Sequence, residues 1–202
     1  MNLPNILTTT RIVLVPLLVT VLLTSQAPGR ELFGLIVFIA AALTDFFDGY
    51  LARRRKQITS VGILLDPIAD KLLISSAFIS LVEIGLVQAW MVVVIVGREF
   101  AVTGLRSVAA LKGVAVSAKR LGKYKMVSQV FCVGFLIGGR LVTSEVYFIE
   151  IGRVLLWIVV LLSLASMIQY FKHFWGVIET KERSQEESEA DNVVRLGRKK
   201  IS

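Results

Sequence analysis

Histidine and cysteine are nearly absent: His173 and Cys132 each stand alone in 202 residues. A lone cysteine excludes an intrachain disulfide and a cysteine metal cluster. Its apolar neighbours Val130, Phe131 and Val133 make a packed thiol the expectation. His173, beside Lys172 and without histidine or cysteine partners, is expected at a membrane edge and not in catalysis. Charge is scarce as well, at 19% of residues against about 25% in soluble domains. Acid is scarcer than base, 15 residues against 23, which leaves a net charge of +8. The strict apolar–polar alternation of barrel strands is missing. No internal repeat stands out, which weighs against a small-ion transporter built from paired repeats.

What remains is apolar. Hydrophobic residues make up 55% of the chain and the mean hydropathy is +0.72. One soluble domain of this length could not bury so much apolar surface. A soluble enzyme, a disordered regulator and a nucleic-acid module are therefore excluded. The basic balance suits anionic membrane lipids instead.

Six apolar segments follow one another: Arg11–Leu23, Leu32–Ala52, Val61–Ile84, Val87–Ala110, Met126–Gly139 and Phe148–Tyr170. A membrane-crossing helix needs about 20 apolar residues, so an all-α integral membrane protein with six transmembrane helices is expected. A cleaved leader ending at Ala27 is the competing reading of the first segment. Pro28 just past the cut and the further spans favour a retained helix.

Charge orients the spans. Arg53, Arg54, Arg55 and Lys56 separate the second and third segments, and Lys112, Lys119, Arg120, Lys123 and Lys125 the fourth and fifth. The remaining connections carry only Arg30 with Glu31, Glu83, and Arg140 with Glu145 and Glu150. The positive-inside rule then puts both termini and both basic loops in the cytoplasm. Residues 1–175 are expected to form the membrane domain. Residues 176–202, polar and mixed in charge, read as a flexible cytoplasmic tail whose basic end suits anionic lipid.

Acid gathers around one hairpin. Asp45 and Asp48 lie three apart at the end of the second span, and Asp66 and Asp70 lie four apart at the start of the third. Each pair shares a helix face, and a short basic loop places both at one depth. Helix capping and salt bridges to Arg53 or Lys71 would explain one such pair. Two face-matched pairs in apolar surroundings point to divalent metal, since clustered carboxylates must be neutralised. Gly49 and Gly62 would permit close approach to the pairs. Such a metal site usually serves phosphate chemistry, and Arg53 could hold a diphosphate. Arg98, Glu99 and Arg106 interrupt the fourth span. They read either as a buried ion pair with ordinary positive-inside signals or as an anion pocket completed by the loop lysines. Gly134 and Gly138 form a small-xxx-small face suited to helix packing within or between subunits.

The run from Asp45 to Asp70 resembles the signature of the CDP-alcohol phosphatidyltransferases, D-x2-D-G-x2-A-R-x8-G-x3-D-x3-D. Asp45, Asp48, Gly49, Ala52, Arg53, Gly62, Asp66 and Asp70 fill every fixed position. The likeness covers residues 1–175. Within the family, NLPNILTTTRI, TDFFDGYLARR, GREFAVTGLR and LGKYKM are similar to members that use glycerol 3-phosphate as acceptor.

That resemblance implies transfer of a phosphatidyl group from CDP-diacylglycerol, with release of CMP. It implies a two-metal site of Mg²⁺ or Mn²⁺ on Asp45, Asp48, Asp66 and Asp70, with Asp66 bridging and Asp70 acting as general base. Gly49, Ala52 and Arg53 would line the CDP site. Arg98, Arg106 and Lys123, with Arg11, Lys119 and Lys125, would bind the acceptor phosphate. The family further implies a six-helix homodimer with a cavity open to the cytoplasm. Inositol phosphate or phosphatidylglycerol as acceptor remains open at this point, since a basic pocket does not separate one phosphorylated acceptor from another.

Overall fold

Long runs of leucine, isoleucine, valine and alanine with few interruptions satisfy their backbone groups internally, and the chain folds accordingly. In the computed structural model the backbone is described for residues 3–24, 29–55, 60–111, 120–141 and 145–199. Side chains are described for residues 9–24, 29–44, 68–111, 124–141, 146–172 and 174–176. The fold is all-α: α1 (Leu3–Leu23), α2 (Arg30–Arg55), α3 (Ser60–Glu83), α4 (Ala89–Leu111), α5 (Arg120–Gly138) and α6 (Glu145–Lys199). A short 3-10 turn, Gly139–Leu141, follows α5. Each expected apolar segment falls on one helix, although α5 begins six residues earlier than its apolar run.

The α3–α4 corner shows how sequence sets a boundary. Gly85 adopts a left-handed φ of 76°, which side chains resist. Leu86 N–H then donates to the Leu81 carbonyl, and Gly85 N–H to that of Val82, each at 2.9 Å. This pairing closes the orphan carbonyls of α3 and turns the chain.

Helix α1 packs along both α2 and α3, which also touch each other; α5 packs along α6 and α2, and α4 against α6 and α3. Leu18, Phe38, Phe78, Ile95, Leu136 and Val159 bring all six helices into one core. Cys132 is buried there, its thiol 3.5 Å from the Gly152 carbonyl, as a packed residue should be. A smaller cluster of Val102, Ala109, Tyr170 and Phe174 joins α4 to α6 beyond it.

Glycine allows close approaches between helices within the chain. A Cβ on Gly152 would lie 2.6 Å from Leu136 Cδ2, and one on Gly34 2.7 Å from Leu22 Cδ2. Among the described residues nothing comes within 4 Å of a Cβ on Gly134, and Gly138 makes only an ordinary contact with Leu35. Both line an open apolar groove of about 440 Å³ between α2, α5 and α6. The tight α5–α6 contact is therefore made from the α6 side, by Gly152 receiving Leu136.

Large apolar side chains also face outward on every helix, among them Val13, Ile36, Ile79, Val93, Phe131 and Leu161. Among the described residues one stretch, Val146–Gly176, is long and apolar enough to cross a membrane. Thr9–Leu23 is a shorter apolar helix. The polar stretch expected to be flexible has helical backbone as far as Lys199. It contains no proline and is rich in Glu, Lys and Arg, which favour helix. Glu179 with Arg183 and Asp191 with Arg195 also have the favourable four-residue spacing.

Candidate active site

Asp70 sits near the middle of α3, about three turns from its start, and is half-buried. It lines a cavity of about 130 Å³ with Lys71 and Ser75 of α3, Arg98 and Glu99 of α4, and Lys125 and Gln129 of α5. Three cations thus face two carboxylates around this space, and the surplus positive charge suits an anion.

These charges are buried, and buried charge is costly unless partnered. Arg98 is 6% exposed and Lys125 only 1%. Glu99 serves both: its carboxylate oxygens lie 3.2 and 3.3 Å from Arg98 Nη1, and Lys125 Nζ forms an ion pair with it. Arg98 also donates to Ser166 Oγ on α6, through Nε at 2.8 Å and Nη2 at 2.5 Å. Its Cζ stands 5.8 Å from the centre of the Tyr170 ring, within cation–π range. Arg98 is thus a buried, ion-paired residue that also lines the cavity.

Of the residues singled out in the sequence, Asp70, Arg98 and Lys125 come together here. Arg106 is exposed two turns further along α4, and Arg11 is fully buried in α1; neither lines this cavity. Asp45, Asp48, Asp66, Gly49, Ala52, Arg53, Lys119 and Lys123 lie outside the described side chains, as does His173. Among the described residues no three His, Cys, Asp or Glu side chains stand together. The structure adds Glu99 as a bridge and Ser166, Tyr170, Lys71, Ser75 and Gln129 as neighbours. Gln129 and Ser166 were visible only as polar interruptions of apolar runs.

At the opposite end of the bundle, Glu31 takes a 2.9 Å bond from Arg30 Nε and lies 3.8 Å from Arg140 Nε. Arg30 further donates to the Thr24 carbonyl at 3.2 Å. The hydrogen bond from Arg30 holds the Glu31 carboxyl below its ordinary value, against the opposing effect of burial. The two bases of the sparsely charged loops are thereby tied to one acid.

Comparison with known proteins agrees with the acidic motif. The CDP-alcohol phosphatidyltransferase family profile matches residues 1–166. The chain is 41% identical over 190 residues to the CDP-diacylglycerol--glycerol-3-phosphate 3-phosphatidyltransferase of Bacillus subtilis (strain 168), covering 89% of this chain and 98% of that one. It is 40% identical over 171 residues to the enzyme of the same name from Rickettsia felis, covering 85% and 94%. To a cardiolipin synthase (CMP-forming) of Oryza sativa subsp. japonica it is 30% identical over 194 residues, covering 88% and 59%. The chain belongs to the CDP-alcohol phosphatidyltransferase family.

Proposed function

We propose that this enzyme transfers the phosphatidyl group of CDP-diacylglycerol to the sn-1 hydroxyl of glycerol 3-phosphate, giving phosphatidylglycerol phosphate and CMP. The observation that carries this reading is the 41% identity to the Bacillus subtilis transferase, running through nearly the whole of both chains. Placement of Asp70 in one cavity with Arg98 and Lys125 supports it, because a base and anion-holding cations are what such an acceptor requires.

Asp70 accepts the proton of the acceptor hydroxyl. The hydroxyl oxygen forms a bond to the phosphorus that carries diacylglycerol. The bond from that phosphorus to the bridging oxygen breaks, and CMP leaves with the electron pair. Arg98 and Lys125 hold the acceptor phosphate, with Arg106, Lys119, Lys123 and Arg11 as further candidates. Gly49, Ala52 and Arg53 line the CDP site. Asp45, Asp48, Asp66 and Asp70 form an all-carboxylate donor set, and Asp70 lies half-buried on a polar cavity. That chemistry fits Mg²⁺ or Mn²⁺, which when bound supplies charge neutralisation at the diphosphate.

The outward apolar faces of all six helices support an integral membrane domain over residues 1–175. In this reading the six helices span the cytoplasmic membrane, both termini and the active site face the cytoplasm, and residues 176–202 extend from it. Anionic lipids meet the basic loops, and two chains form a homodimer. The likeness to the rice cardiolipin synthase favours one second reading, phosphatidylglycerol as acceptor. The surplus of cations around the cavity argues for the smaller phosphorylated one.

Mass spectrometry of the lipid formed by detergent-purified enzyme tests the reading. Phosphatidylglycerol phosphate is the expected product from CDP-diacylglycerol and glycerol 3-phosphate, and cardiolipin formed from phosphatidylglycerol would replace it with the second reading.

A further inference from the structure

The cavity beside Asp70 has two layers. Asp70, Glu99 and Lys125 form a charged layer with Lys71 and Arg98. One helical turn along three separate helices, Ile74 on α3, Ile95 on α4 and Gln129 on α5 form an uncharged layer. Gln129 is its conspicuous member. It is 3% exposed, and its amide Nε2 has no hydrogen-bond partner among the described residues. An unpaired buried donor is unfavourable, and in a native cavity it asks for a partner.

Resting on the transfer reading above, we propose that Gln129 recognises the uncharged, non-reacting hydroxyl of a polyol phosphate acceptor. The charged layer already has uses for the acceptor's two ends: cations for the phosphate and Asp70 for the reacting hydroxyl. Glycerol 3-phosphate carries one further polar group, the hydroxyl between those ends. A donor one turn away from both, among isoleucines, meets that middle hydroxyl and leaves no other part of the acceptor to satisfy it. An acceptor lacking the hydroxyl leaves the amide unpaired, which is how a buried polar site rejects an analogue. Gln129 is thus a specificity residue that adds to acceptor binding without touching the reacting atoms.

The test compares glycerol 3-phosphate with 1,3-propanediol monophosphate, which lacks only the middle hydroxyl, using the full-length enzyme in detergent. The unaltered enzyme is expected to prefer glycerol 3-phosphate by about tenfold in kcat/KM. Gln129→Leu and Gln129→Met should each lose about that tenfold with glycerol 3-phosphate, chiefly through KM, and change little with the diol phosphate. KM for CDP-diacylglycerol should stay the same. Equal losses with both acceptors, unaltered selectivity, or failure of both variants to fold would assign Gln129 a structural role and overturn the proposal. Absence of CMP release by the unaltered enzyme would remove the transfer reading as well, whereas normal release with indifferent variants removes this inference alone.

Discussion

Ser166 on α6 holds Arg98 on α4 by two hydrogen bonds to a single oxygen, from Nε at 2.8 Å and from Nη2 at 2.5 Å. The remaining guanidinium nitrogen faces Glu99. A planar fork fixed at every nitrogen is pre-organised for an anion, so the orientation of the arginine lining the cavity depends on a residue 68 positions away.

Ser166→Ala should therefore raise KM for glycerol 3-phosphate by about five- to tenfold with little change in kcat, the cost of one or two charge-assisted hydrogen bonds. Ser166→Thr, which keeps the oxygen, should recover most of the loss. Steady-state kinetics with each substrate varied in turn measures this; an equal effect on CDP-diacylglycerol would contradict it.

Glu99 neutralises two buried cations at once. Glu99→Gln leaves Arg98 and Lys125 without their shared carboxylate, and removing one side of a buried ion pair is strongly destabilising. A loss of about 3–5 kcal/mol is expected, read as a lower Tm in detergent. An unchanged Tm would show that the cations find other partners.

Asp70→Asn keeps the shape of the side chain but cannot take a proton. CMP release should fall by at least about a hundredfold while the helical circular dichroism and elution volume stay the same. Full activity in that variant would sink the base assignment.

Glu31 ties Arg30 to Arg140 at the far end of the bundle. Its carboxyl is held below the ordinary value, so its contribution is present at neutral pH and is lost as pH falls through the lowered folded-state value. Glu31→Gln should cost about 0.5–1 kcal/mol at pH 7. Its Tm difference from the unaltered chain should shrink on acidification below the ordinary glutamate range and vanish once pH lies below the lowered folded-state value. A difference independent of pH would show that charge is not the cause.

Glycine positions separate tight from loose packing. Gly152→Ala places a methyl 2.6 Å from Leu136 Cδ2 and should destabilise by about 1–3 kcal/mol. Gly134→Ala meets open space and should be neutral or stabilising by up to about 1 kcal/mol. Thermal unfolding of the two variants side by side decides the matter, and the reverse order would contradict the packing described.

The helices were legible because apolar runs with few interruptions admit little else, and each run became one helix. The early start of α5 was not, because Tyr124 and Lys125 look like loop in a linear reading; only packing shows that Lys125 is 1% exposed and paired with Glu99. Asp70 and Arg98 were legible as chemistry, since charge within apolar spans is costly. Ser166, Tyr170 and Gln129 were not, because their roles depend on which helices adjoin. Within the chain Gly134 and Gly138 face an open groove, while Gly152, which no pattern marked, takes a close contact.

CMP release from CDP-diacylglycerol by the purified enzyme, with Mg²⁺ or Mn²⁺ and glycerol 3-phosphate, inositol phosphate or phosphatidylglycerol offered in turn, tests the central reading most directly. Release with glycerol 3-phosphate well above that with the other two is the predicted result. Release with another acceptor in preference, or none with any, would contradict it.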